Sequence, residues 1–244
     1  MALLGMPKTP KAQPPEQLAR VRRGYFECRF GQLHVHNSMP PGGGFEEGTP
    51  MLCIQDLGGT GRAFAPFMAL AGRDRSVYAP DLPGLGESDP PEPRAAVADY
   101  AAALGDFLDT MRIRRLHVLA NRAGALVGAE LALTRPEQVA ALVMVSVPLA
   151  SSEQRREFAV EAPASDSQRV LAEALTQYPA RERLARLTQK LLVVRPKDDL
   201  WEASWGIREV LPSARVVDLE IPGGQLFAAA PVRLCEAVRD FLRV

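Results

Sequence analysis

The sequence predicts an α/β protein: a mostly parallel, twisted sheet with helices on both faces. Two observations carry this. From residue 51 onward, short apolar runs alternate with longer amphipathic segments, the rhythm of βαβ units. The chain also has 244 residues, of which 47% are hydrophobic, enough for a sizeable core within one domain.

Residues 1–20 hold Pro7, Pro10, Pro14 and Pro15 among Lys and Gln and read as a flexible arm ahead of a single domain over 21–244. Arg23 to Phe30 and Gln32 to Ser38 are β-prone runs divided by Gly31, which predicts a hairpin. Pro40-Pro41-Gly42-Gly43-Gly44 reads as a loop. The alternating segments follow: 51–57, 63–72, 76–82, 97–111, 115–120, 123–134 and 139–147. A polar helical stretch, Ser167 to Leu187, lies in a short lid insertion over about 149–188. The rhythm resumes with 190–194, 201–211, 215–221 and 232–242.

Lys+Arg and Asp+Glu each number 29, a balance that argues against nucleic acid or an anionic membrane surface as partner. No run approaches the ~20 apolar residues of a membrane span, and Met1 to Met6 lacks the basic leader of a signal peptide. Cys28, Cys53 and Cys235 form no metal-binding or disulfide pattern and read as free thiols of a cytoplasmic protein. No cofactor is expected, because Gly84-Leu85-Gly86 is too short for a dinucleotide fingerprint.

Three motifs resemble the α/β-hydrolase superfamily, in its esterase, lipase and peroxidase-like branch. Ala79-Pro80-Asp81-Leu82-Pro83-Gly84-Leu85-Gly86-Glu87-Ser88-Asp89 is similar to the signature after that family's fourth strand. There Asp81 is expected to fix the loop through backbone donors. Leu116 to Gly124 has the strand-turn-helix shape of the nucleophile elbow. Ile221-Pro222-Gly223-Gly224-Gln225, followed by an amphipathic helix, resembles the last strand and helix.

The resemblance implies a Ser nucleophile, a His base and an Asp acid, and two of these are replaced. The nucleophile position is Arg122, whose protonated guanidinium has no lone pair for attack. The base position is Gln225, which neither takes nor returns a proton near neutral pH. The acid position is Asp199, with Asp198 its neighbour. Gln55 and Asp56 stand where the family carries His-Gly. The resemblance implies that the amides of Leu57 and Ala123 converge as an oxyanion hole, which the Asp56 carboxylate would oppose. His34, His36 and His117 read as structural, and Ser88, Thr60, Ser146 and Cys53 have no histidine relay.

The leading expectation is therefore a degenerate member, a non-catalytic small-molecule binder or partner protein. Arg122 and Asp199 are expected to form an ion pair plugging the site. The sharper alternative has Arg122, Gln225, Gln55, Asp56, Leu57, Ala123 and Asp199 lining a site for a small anionic or carbonyl ligand. Two further alternatives are an atypical hydrolase of an ester or similar bond with relocated residues, and an interaction scaffold with a filled pocket. A protein partner or a homo-oligomer fits the reduced lid.

Overall fold

The computed structural model describes residues 18–42, 47–149, 165–222 and 226–243. The proposed arm thus lies, over 1–17, outside the described residues, as do 150–164 of the lid insertion and Gln225.

β1 (Val21–Cys28) and β2 (Gly31–Ser38) form the expected antiparallel hairpin, with Tyr25 opposite His34 and Arg23 opposite His36. Gly31 closes it at φ +108°, where an added Cβ would lie 2.3 Å from an Asp89 carboxylate oxygen. β2 pairs antiparallel with β4 (Arg75–Pro80). All remaining pairings are parallel, through β3 (Gly48–Ile54), β5 (Leu116–Asn121), β6 (Val139–Val145), β7 (Lys190–Lys197) and β8 (Arg215–Pro222). The eight strands lie in the order β1-β2-β4-β3-β5-β6-β7-β8. Central strands such as β6 are buried on both faces, which is why they read as continuous apolar runs rather than alternating ones.

One face carries α2 (Val97–Thr110) and α3 (Ala123–Thr134), packed over Ile54, Val118, Leu142 and Val193. α3 is buried along most of its length, so it lacks an amphipathic stripe. The other face carries a 3₁₀ turn (Gly61–Phe64), α1 (Ala65–Ala71) and the C-terminal helix, over Cys53, Leu119, Val143 and Val194.

The helical stretch read over 167–187 is two helices, α4 (Asp166–Gln177) and α5 (Ala180–Leu184). Pro179 holds Tyr178 extended at ψ 123°, which ends the first. The segment 201–211 likewise divides at Gly206 into α6 (Trp201–Trp205) and α7 (Ile207–Val210). The short α8 (Leu226–Ala229) was not predicted and precedes α9 (Pro231–Leu242). Among the described residues no helix is long and apolar enough to cross a membrane.

Candidate functional site

The C-terminal ends of β3, β5, β6 and β7 converge on one cluster of charge. β5 ends at Asn121, α3 begins at Ala123, and Arg122 makes the turn between them at φ 50°, ψ −116°. A non-glycine residue rarely adopts this conformation, and it costs about 1–3 kcal/mol. The surroundings impose it. The Arg122 N–H donates to Val145 O at 2.8 Å, its carbonyl accepts from Ala125 N–H at 2.9 Å, and α3 sits hard against β3. A Cβ on Gly124 would lie 2.4 Å from the Gln55 carbonyl oxygen and 2.5 Å from that of Ile54.

The strained turn aims the Arg122 side chain at three carboxylates. Nη1 and Nη2 donate to the two oxygens of Asp199 at 2.7 and 2.8 Å, a bidentate fork. Nε lies 3.0 Å from Asp56 Oδ2, and Nη1 lies 3.6 Å from Asp198 Oδ2. The hydrogen bonds to Asp199 push the Arg122 guanidinium further above its ordinary value, and the same bonds hold the Asp199 carboxyl below the usual carboxylate range.

Asp56 closes the arrangement. Its Oδ1 accepts from Leu57 N–H at 2.8 Å and from Ala123 N–H at 3.2 Å. The two amides read from sequence as an oxyanion hole do converge, and a carboxylate oxygen of this chain occupies their meeting point. Asp198 Oδ2 accepts from Ser146 Oγ at 2.5 Å, and Asp198 Oδ1 accepts from Leu200 N–H at 3.0 Å.

Arg122, Asp56, Leu57, Ala123 and Asp199 are therefore brought together as the sequence predicts, including the Arg122–Asp199 ion pair. Gln55 is adjacent but buried, and its amide has other partners. In the orientation that satisfies both ends, its nitrogen donates to Pro80 O at 2.8 Å and its oxygen accepts from Leu82 N–H at 2.7 Å. It ties β3 to the following loop. Gln225 lies outside the described residues. Sequence reasoning missed Asp198 as a member of the cluster; the consecutive Asp198-Asp199 pair was the available signal.

Two of the groups considered as replacements, Ser88 and Cys53, are engaged or buried. Ser88 Oγ donates to Asp81 O at 2.7 Å and accepts from His34 N–H at 3.0 Å. Asp81 holds its loop as expected, accepting from Gly61 N–H at 2.6 Å and Glu87 N–H at 3.1 Å. Cys53 is fully buried and burial pushes its thiol upward. Burial lowers His117, at the foot of β5, to about 4. Among the described residues, no histidine ring hydrogen-bonds to a serine.

Residues 49–193 match the alpha/beta hydrolase fold family. The chain belongs to that family. Its alpha/beta hydrolase relatives include a "Putative carbamate hydrolase RutD" from Pseudomonas savastanoi pv. phaseolicola, 28% identical over 79% of this chain and 93% of that protein. A protein of the same name from Pseudomonas syringae pv. syringae is 28% identical over 76% of this chain and 90% of that protein. Among solved alpha/beta hydrolase-like structures, a hydrolase from Pseudomonas aeruginosa PA01 superposes with TM-score 0.76 at 19% identity, covering 91% of this chain and 98% of that one. The enol-lactonase from Burkholderia xenovorans LB400 gives TM-score 0.75 at 16% identity, covering 91% and 100%. At such identities the structural likeness shows the alpha/beta hydrolase fold.

Proposed function

We propose that this alpha/beta hydrolase family member does not perform serine-hydrolase chemistry and is a pseudo-hydrolase, a non-catalytic binder or partner protein. One observation carries the reading: Asp56 sits in the amide cradle where an oxyanion would form and grips the Arg122 that stands in place of a nucleophile. Acyl transfer needs a nucleophile with a free lone pair, a proton acceptor, and donors aimed at developing negative charge. Here the guanidinium supplies no lone pair, and the donors already hold a negative charge. A carboxylate ligand would reach Arg122 only by exchange with Asp199, whose side chain is about half exposed.

The purified chain assayed with p-nitrophenyl esters and a fluorophosphonate probe tests this. The expected results are turnover at the uncatalysed rate and no labelled serine. A thermal-shift series with small carboxylates, repeated on Arg122→Ala, tests the ligand: a shift that survives the substitution rejects Arg122 as its anchor.

A second reading, an atypical hydrolase with relocated residues, is supported by family membership and by the names of the carbamate-hydrolase relatives. Its specific support is Ser146, whose Oγ is hydrogen-bonded to a carboxylate able to accept its proton. Ser146 is only 2% exposed, so substrate access requires movement of its cover. Fluorophosphonate labelling that Ser146→Ala abolishes would establish this second reading and end the first.

A further inference from the structure

We propose that His34, His36 and Asp81 form a binding site for a divalent transition-metal ion of the Zn²⁺ class, independent of the Arg122 cluster. His34 and His36 are two residues apart on β2, so strand alternation projects both rings from the same face of the sheet. The two rings meet edge to face with centroids 4.7 Å apart. Asp81, at the end of the adjoining β4, brings Oδ2 to 2.9 Å from His34 Nδ1. One ligating atom from each of the three residues falls within 4.8 Å of the others, close enough for small side-chain adjustments to close on one ion.

Two features separate this group from an ordinary buried hydrogen-bond network. First, His36 is 93% buried by its 7% exposure, yet its Nδ1 has no hydrogen-bond partner. A buried ring nitrogen without a partner costs stability, and a metal ion would satisfy it. Second, the donor set is chemically matched. Imidazole and carboxylate suit Zn²⁺ and its neighbours, and three protein atoms leave one coordination position for water. Neutral imidazole carries one ring proton, so His34 ligates through Nδ1 by moving that proton to Nε2; Asp81 keeps the backbone donors Gly61 N–H and Glu87 N–H on its oxygens. The outer wall is acidic as well. Glu87, on the same loop, accepts from Tyr25 OH at 2.6 Å, and its other oxygen lies 4.0 Å from Arg23 Nη1.

The consequence is a structural clamp. A metal ion there would tie the N-terminal hairpin to the loop over 81–89. It would stabilise the folded state by mass action without touching the strand ends where Arg122 sits.

The test uses the full chain, stripped with a chelator and dialysed, then titrated with ZnCl₂ by calorimetry and followed by thermal unfolding. The expected result is one Zn²⁺ per chain and a rise in Tm of about 5 °C or more at a hundredfold excess over Kd. CoCl₂ should give visible d–d absorption of a nitrogen- and oxygen-ligated ion. His36→Ala, and His36→Gln, which preserves side-chain bulk, should weaken binding beyond the ~100-fold that loss of an outer partner produces. His117→Ala, which removes a half-buried ring whose buried Nδ1 is also unpartnered, should bind as the wild type does. Absence of stoichiometric binding by the wild type overturns the proposal. So does wild-type affinity in both His36 variants, or loss of binding in His117→Ala.

Discussion

Asp56 holds the backbone N–H of Ala123, 67 positions away in sequence, on the same carboxylate oxygen that receives Leu57 N–H. That single oxygen fastens the start of α3 to the end of β3 and places negative charge at a helix N-terminus, where it is favoured. Asp56→Ala removes these bonds and the contact to Arg122 Nε. The expected loss of stability, discounted for partial exposure, is about 1–2 kcal/mol, read from urea unfolding.

The Arg122–Asp199 fork predicts an acid-dependent stability. Asp199 titrates below its ordinary 3.8 because Arg122 hydrogen-bonds its charged form. A lowered folded-state value contributes stability above the unfolded value, and that contribution is lost as pH falls through the folded one. Wild type should therefore exceed Arg122→Leu in unfolding free energy at pH 6, with the gap narrowing below about pH 4. A gap independent of pH between 6 and 2.5 would contradict the pairing.

His117 contributes in a different window. Burial, with Arg75 and Arg115 adding to it, lowers the ring from 6.5 to about 4. The unfolded chain takes up a proton that the folded chain refuses, so stability falls as pH drops from 6.5 towards 4. His117→Phe should flatten this slope, which amounts to about 1–3 kcal/mol across the window. Hydrogen-exchange or urea data at pH 7 and pH 4.5 measure it.

Gly124→Ala should be more damaging than its small volume suggests. The new methyl would meet two carbonyl oxygens at 2.4 and 2.5 Å, both backbone and unable to swing aside. A cost of about 2–3 kcal/mol is expected from thermal unfolding. A loss below half of that would mean α3 can slide away from β3.

The proposed absence of serine-hydrolase chemistry predicts that a serine alone will not introduce it. Arg122→Ser alone should remain unlabelled by fluorophosphonate, because among the described residues no histidine base faces it and Asp56 still occupies the amide cradle. Arg122→Ser combined with Asp56→Gly and Gln225→His should become labelled at position 122.

The strand-helix rhythm from residue 51 onward was legible because each buried parallel strand is a short apolar run flanked by turn residues. Breaks inside helical stretches were less visible: Pro179 and Gly206 each end a helix that apolar periodicity alone carries through. At the site, the elbow was readable from the small residues Ala120, Ala123 and Gly124, and the Arg122–Asp199 pair followed from their expected places in the fold. Two points were not readable. Asp198 points back to Ser146 and Arg122, while Gln55 turns away to Pro80 and Leu82, and such choices depend on distant backbone partners.

The turn at Arg122 remains bent in a conformation that arginine has no chemical need to adopt. Its shape is dictated by the neighbours Val145, Ala125 and Gly124 rather than by the side chain it displays. The backbone thus holds position 122 in place whatever side chain it carries, so side-chain substitutions there can be made without rebuilding the turn.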